Sequence, residues 1–343
     1  MPTQPTTAAS VAAQVPVLWS RRLLAQAEKM TFWKRFEGPE GSGMPIIRKD
    51  DLTQTAGDTI KADMVLALTG SGITGDANLL HGNEEQLKFR QLSFTVADLS
   101  HAVGWTELAE QIITHNMRST ALQQLQKWLA GKLDDRIWNE LTGGGTTIPT
   151  GNIFYAGAAT GNASLTTSTT LTLSDISDLK AYAQADRMIE PLRMENGEEY
   201  YGLAVHPYVN LGLKKDPNYQ QAQRDANVRG ETNPLFTGST FVWDGVIGYV
   251  SNRVPTAANG GAGGNVSFAK NVLFGAQAAM RGFAMYPDWR EEFFDYGRSA
   301  GVATTMILGQ KLAVYDTSPA GDGSGNTAIG MLQYNAAYTA PTA

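Results

Sequence analysis

The sequence from Thr106 to Leu141 contains no proline and carries apolar residues at intervals of mostly three to five. These residues are Leu108, Ile112, Met117, Leu122, Leu125, Leu129, Leu133, Ile137 and Leu141. Such spacing places them along one face of an α-helix. The pattern therefore predicts a single helix over 106–141, which at 1.5 Å per residue spans about 54 Å.

The predicted helix ends at Thr142-Gly143-Gly144-Gly145, because glycine adopts the left-handed conformation that commonly follows a helix. Extended segments precede the helix and mixed segments follow it. Two interpretations fit: a spine to which two halves of the molecule attach, or an ordinary helix of a globular core. The length exceeds that of most helices in small domains, but length alone does not choose between them.

Composition limits the possible kinds of molecule. The chain has 343 residues, 42% of them hydrophobic and 17% charged, which is enough apolar sequence for one large or two medium cores. So few charges suggest that other copies of the chain cover much of the surface. The net charge of -6 argues against wrapping of nucleic acid by a basic surface, so any contact with DNA is containment.

Cysteine is absent, which excludes disulfides and thiolate metal sites. The first residues lack the basic and apolar regions of an export signal, and no apolar run reaches about 18 residues. We therefore expect a soluble protein that is cytoplasmic during synthesis, with no membrane partner.

Two strand-like runs precede the helix. Ile60, Met64 and Leu66 alternate with polar residues in the first run. In the second, the apolar positions change from odd (Leu87, Phe89) to even (Leu92, Phe94), which predicts a bulge near Arg90 and Gln91. The two runs predict a long hairpin joined by residues 69–85.

The sequence from Leu18 to Phe36 is basic and amphipathic. Its cations are Arg21, Arg22, Lys29, Lys34 and Arg35, and Leu23, Ala27, Met30 and Trp33 follow one side. Such a segment lies on a membrane, against DNA or on a neighbouring subunit. We favour the interpretation in which this segment lies on a neighbouring subunit.

Candidate chemistry is sparse. Residues 70–75 spell G-x-G-x-x-G after a strand, but a phosphate-binding helix does not follow and Asp76 would repel phosphate, so a hairpin tip is the better interpretation. Asp322, Ser324 and Asn326 match part of a calcium loop without its terminal glutamate. The histidines lack metal-ligand spacing. We expect no catalytic, cofactor-binding or metal-binding residue.

The order of these segments resembles the major capsid proteins of tailed bacteriophages, most closely the coliphage N-4-like coat protein family. Six segments carry the resemblance: WSRRLLAQAEKMTFWKRFEG at 19–38, GNEEQLKF at 82–89, WNELTG at the helix end, His206-Pro207-Tyr208, NPLFTGSTFVWDGVIGY at 233–249 and FFDYGRSAGVATTMILGQKLAVYD at 293–316. Their shared order is more specific than any single segment.

The resemblance implies the α+β HK-97-type capsid fold. By analogy, residues 1–45 form an N-terminal arm and 46–100 the region of an extended hairpin called the E-loop. Residues 101–172 and 286–343 form a peripheral domain containing the spine helix 106–141, and 173–285 form an axial domain. We expect the spine to bury Leu122, Leu125, Leu129 and Leu133.

The resemblance implies a shell protein of the virion that assembles with itself into hexamers and pentamers around double-stranded DNA. A scaffolding protein and a portal are expected partners, and a decoration protein is a further candidate. The residues expected at subunit contacts are Arg21, Arg22, Trp33, Arg35, Ile60, Met64, Leu66, Glu84 and Glu85. Two alternatives stay open: an encapsulin-like shell that encloses enzymes, and a nucleotide-binding enzyme that uses the glycines at 70–75.

Overall fold

The protein is described by a computed structural model. The described residues are Leu23, 30–53, 57–66, Leu68, Gly70, 72–74, His81, 84–113, 116–195, 197–225, 241–318, Gly323 and 325–341. Arg21 and Arg22 lie outside them, as do Asp322 and Ser324 of the partial calcium loop. The described part contains no helix long and apolar enough to cross a membrane.

A five-stranded sheet forms one layer of the molecule, in the order β1-β2-β13-β14-β5. Its strands are β1 (Glu37–Pro39), β2 (Ile46–Lys49), β5 (Ala97–Thr106), β13 (Ala279–Phe294) and β14 (Ser299–Leu312). The last two form a long antiparallel hairpin that turns at Asp295–Gly297. Strand β5 pairs with β14 in unbroken register from Ala97 to Thr106.

The predicted single helix over 106–141 is wrong in its first third. The structure has two helices, α1 (Glu107–Ile112) and α2 (Met117–Leu141). Ile113 is extended, and the side chain of Asn116 accepts a hydrogen bond from the Ser119 N–H at 3.1 Å, which starts a new helix. The spine is therefore α2.

Four residues expected on the apolar face of the spine lie in the protein interior. Leu122, Leu125, Leu129 and Leu133 are all buried. They pack with Leu23, Phe283, Trp289, Val302, Met306 and Leu308 on one face of the five-stranded sheet. Arg118, in the first turn of α2, pairs with Glu291 of β13 at 2.6 Å and ties the helix start to the long hairpin.

A second, eight-stranded sheet has a main order of β6-β17-β12-β8-β10-β9, with β7 and β11 paired at its sides. Its strands are β6 (Ile153–Tyr155), β7 (Arg193–Glu195), β8 (Glu198–Val205), β9 (Val242–Trp243), β10 (Val246–Val250), β11 (Thr256–Gly260), β12 (Val266–Phe274) and β17 (Met331–Ala337). Helices α3 (Leu173–Ala185), α4 (Pro207–Lys215) and α5 (Pro217–Asp225) accompany it.

The strand pairing disagrees with the expected division at residues 285 and 286. That position lies inside β13, whose sixteen residues run without interruption from Ala279 to Phe294. In addition, β17 pairs with β12, so strands from the expected peripheral and axial segments share one sheet. Long-range pairing of this kind has no local sequence signal, so a boundary drawn from the sequence does not take it into account.

The predicted hairpin is confirmed. It consists of β3 (Thr59–Val65) and β4 (Phe89–Thr95), which pair antiparallel from Thr59 with Thr95 to Val65 with Phe89. The predicted bulge near Arg90 and Gln91 is wrong, because these residues pair in regular register with Met64 and Asp63. A short hairpin, β15 (Val314–Asp316) with β16 (Asn326–Ala328), completes the fold.

Candidate subunit-contact surfaces

The end of the N-terminal arm is anchored inside its own chain. Trp33 is 1% exposed and lies against Trp138 of α2, with ring centroids 4.8 Å apart, and against Phe274 of β12 at 5.3 Å. Phe36 is buried in the same cluster. The expectation that Trp33 forms a subunit contact is therefore wrong, because the ring is covered by the chain that carries it.

A buried carboxylate fixes this anchor to the spine. Asp134 of α2 accepts hydrogen bonds from the Phe32 N–H at 2.7 Å and the Trp33 N–H at 3.2 Å. Burial raises the pKa of Asp134, while these two N–H groups oppose the shift. Nearby, Glu37 and Arg281 form a buried ion pair at 3.4 Å, and Arg281 also donates to the Leu133 carbonyl at 2.9 Å.

Arg35 differs from Trp33 because it lies at the surface. Its guanidinium lies over the rings of Phe32, Phe36 and Tyr249 at 4.4, 5.1 and 5.0 Å, and its Nε donates to the Phe32 carbonyl. Stacking of this kind holds the cation in one place while its outer side stays in water. Its role in a subunit contact remains a prediction.

One face of the hairpin is covered by the rest of the chain. Ile60, 2% exposed, packs in a cluster with Leu92 and Phe94 of β4 and with Met280 and Tyr315. The expectation that Ile60 touches a neighbouring subunit is therefore wrong. Met64 and Leu66, further along the same face, are only half-buried and line an open cavity.

The opposite face of the hairpin carries exposed apolar side chains at the end next to its connecting loop. Val65, Leu87 and Phe89 are 52%, 60% and 62% exposed, and Val65 and Phe89 stand directly opposite each other across the two strands. We call these three residues the outer hairpin face. The sequence contained the signal: the change of apolar phase in the second run marks apolar residues on both faces of the strand and not a bulge.

The predicted acidic contact residues lie at the far end of the hairpin. Glu85 accepts a hydrogen bond from the Gly70 N–H at 2.7 Å, and Glu84 lies 3.7 Å from the His81 ring. Both side chains are exposed. In a phosphate-binding loop, the Gly70 N–H would donate to a phosphate. Here it donates to the Glu85 carboxylate, which argues against nucleotide binding at residues 70–75.

Part of the five-stranded sheet presents a flat surface of small residues. On the face turned away from α2, β5 carries Ser100, Ala102 and Gly104, and these pair with Thr305, Ala303 and Gly301 of β14. None of the six is buried. We call this set the smooth sheet face. The adjoining strand β13 borders it with Asp288, Arg290 and Glu292.

A further apolar patch lies where the β13–β14 hairpin turns. Phe293, Phe294 and Tyr296 are exposed there, and Leu108 and Ile112 are exposed on α1. Leu108 and Asp295 line one shallow cavity, which places the helix beside the turn. Sequence reasoning had assigned Leu108 and Ile112 to the buried face of one long helix, and the break at Ile113 removes them from it.

The fold described above is the one found in solved phage capsids. Solved capsids share this fold: that of Ralstonia phage GP4 is 22% identical, covers 91% of this chain and 92% of its own, and superimposes with a TM-score of 0.76. The capsid of cyanophage Pam1 is 21% identical, covers 91% and 93%, and has a TM-score of 0.79. The predicted α+β HK-97-type fold is confirmed.

The chain belongs to the phage capsid protein family, whose model matches residues 6–339. It is also 30% identical over 338 residues to the major capsid protein of Pseudomonas phage KPP25, covering 85% of this chain and 87% of that protein. The chain is thus a major capsid protein of a tailed phage, a structural component of the virion that assembles with its own kind into a shell.

Proposed function

We propose that each subunit grips the next by laying its outer hairpin face on the neighbour's smooth sheet face. The observation that carries this proposal is the exposure of Val65, Leu87 and Phe89 on the side of the hairpin opposite to the packed side. An apolar strand face left in water is an aggregation hazard unless a partner covers it.

The two surfaces are complementary in shape. Three bulky side chains project from the hairpin, whereas serine, alanine, glycine and threonine leave the sheet flat and accessible. Full burial of a valine, leucine or phenylalanine side chain contributes roughly 1.5–3 kcal/mol. Because the projecting and flat surfaces lie on different parts of the chain, the contact is heterologous and is repeated around a ring that closes.

Ion pairs contribute less to the proposed subunit contact than the burial of apolar side chains does. Arg35 at the arm, with Arg21 and Arg22 before it, meets Glu84 and Glu85 of a neighbour in this scheme. Because ion pairs at the solvent-exposed rim of a contact are weak, each pair contributes about 0–1 kcal/mol. They fix the direction in which one subunit approaches another more than they add affinity.

The proposal extends to the shell's symmetry, its contents, its domains and its partner proteins. The closed shell is icosahedral, built of hexamers and pentamers, and encloses double-stranded DNA without reading its sequence, as the net charge of -6 favours. The arm, E-loop region, peripheral domain and axial domain keep their proposed identities. The N-4-like subfamily, a scaffolding protein, a portal and a decoration protein complete the proposal.

The double variant Val65→Ser/Phe89→Ser tests the hairpin contact. Both side chains are exposed, so the variant keeps the circular dichroism and melting temperature of the wild type while forming few or no shells in sedimentation. The control Val242→Ser/Met194→Ser removes two exposed apolar side chains on the other sheet and leaves assembly unchanged. Normal shells from the hairpin variant would overturn the proposal.

The contents of the purified particle test the encapsulin-like alternative. DNA together with a portal protein supports the phage shell. A packaged enzyme in place of DNA would instead establish an enzyme compartment and contradict this part of the proposal.

A further inference from the structure

A groove runs beneath the packed side of the hairpin. Two cavities, of about 520 Å³ and about 500 Å³, lie side by side and share Met64, Met188 and Ile329 in their walls. Met280 and Tyr315 extend the floor of the second cavity. We call this feature the methionine groove. It is separate from the outer hairpin face, which lies on the other side of the same two strands.

Methionine gives the groove an adaptable apolar floor. The unbranched thioether side chain fills irregular gaps and repacks around different apolar partners. Met188 is 82% exposed and has a φ of 48°, a conformation that non-glycine residues rarely adopt. Such strain persists where the surrounding structure imposes it, often at binding surfaces.

Acidic residues surround this floor. Glu40, Asp63 and Glu190 line one cavity, and Glu85 and Asp186 line the other. The cations in the walls are Lys88 and Arg187, and Arg187 donates to the Tyr182 hydroxyl at 3.0 Å. Lys49, just outside, pairs with Glu40 at 3.0 Å. Five carboxylates exceed the two lining cations and Lys49 together, which leaves the groove negative.

The behaviour of Tyr315 agrees with a negative groove. Burial raises the pKa of its hydroxyl to about 12, and Asp63 and Glu40 add to the shift. Charges of like sign disfavour a phenolate. The negative charges of Asp63 and Glu40 are therefore felt at Tyr315 on the floor of the groove as well as at its edge.

We infer that the methionine groove binds a basic amphipathic helix of a separate assembly protein. An apolar floor rich in methionine accepts the helix's apolar side, and the acidic rim pairs with its lysines and arginines. The basic stretch of this chain is not the occupant, because Leu23, Trp33 and Phe36 of that stretch are already buried within their own chain.

Fluorescence anisotropy with a labelled amphipathic peptide of leucine and lysine tests the inference on the full-length, unassembled protein. The wild type binds it, and binding weakens as salt rises. The charge-reversed variant Asp186→Lys/Glu190→Lys binds roughly tenfold more weakly. The control Glu195→Lys/Glu198→Lys places the same charges at an exposed turn outside the groove and binds as the wild type does.

A second variant separates the apolar contribution from the charge. Met188→Ser weakens binding by a factor that does not change with salt, since the thioether carries no charge. Absence of peptide binding by the wild type would overturn the inference. Equal binding of a matched leucine and glutamate peptide, or equal losses in the groove and control variants, would do the same. None of these peptide-binding results depends on whether the wild type forms shells. The proposed hairpin contact, which is tested by shell formation, is therefore tested separately from the groove.

Discussion

Trp33 shows how a single residue departs from its sequence context. Trp33 precedes Lys34 and Arg35 and was expected at a subunit contact, yet its ring packs between Trp138 and Phe274. Its partners lie more than a hundred residues away, so no local pattern reveals them. The amphipathic spacing showed that one side of the arm is apolar but not which subunit covers it.

Trp33→Ala should lower the free energy of unfolding by about 3–5 kcal/mol, because it leaves a cavity between the arm, α2 and β12. Urea unfolding followed by circular dichroism measures the change. Tyr296→Ala removes a fully exposed ring and is the matched control. A loss below about 1 kcal/mol for Trp33→Ala would mean that the anchor is not formed.

Asp316 gives a prediction about pH. The Ser318 hydroxyl and the N–H groups of Gly323, Ser318 and Gly325 hold the pKa of this carboxyl at about 2, below the ordinary 3.8. Because the folded pKa is lowered, its stabilising contribution is present above the ordinary value and is lost as pH falls toward about 2.

The melting temperature of the wild type should therefore exceed that of Asp316→Asn near pH 6, by a difference that shrinks as the pH is lowered toward about 3. Differential scanning calorimetry at several pH values measures it. A difference that stays constant over this range would show that the carboxylate charge plays no part in holding the β15–β16 turn.

At the scale of elements, the spine helix was well predicted along its packed face and poorly predicted at its start. Heptad-like leucine spacing depends only on local geometry, so Leu122 to Leu133 could be assigned from the sequence. The break before Met117 depends on Asn116, whose side chain caps a new helix. Asparagine is also tolerated within helices, which makes this signal weak on its own.

Leu125→Ala should destabilise the protein by about 2–5 kcal/mol, because this side chain is buried between α2 and the five-stranded sheet. Gln124→Ala changes an exposed position of the same helix and should shift the unfolding midpoint little. Equal midpoints for the two variants would mean that the helix face is assigned wrongly.

The sequence predicted the hairpin itself but not which of its faces is exposed. The face expected at a subunit contact packs partly on its own chain, and the outer hairpin face is the exposed one. The first strand's alternation correctly identified Ile60 and Met64 as one face. Whether that face meets its own chain or a neighbour depends on β2, β13 and β15, which come from distant sequence. The structure shows that Val65, Leu87 and Phe89 are exposed on the other face.

At the scale of the whole molecule, the order of segments predicted the family, while strand pairing decided the division into parts. Residues 331–337 return to pair with 266–274, and β13 continues through the expected boundary. The α+β class and the capsid function could be predicted because they depend on the order of elements. The limits of the domains could not, because they depend on contacts between distant strands.

The position of the hairpin in the assembled shell tests the central claim most directly. Electron cryo-microscopy of shells made by the wild type should show Val65 and Phe89 covered by β5 and β14 of an adjacent subunit, near Ala102 and Ala303. Shells in which both side chains still face solvent would contradict the proposed grip between subunits, whatever the particle's size or symmetry.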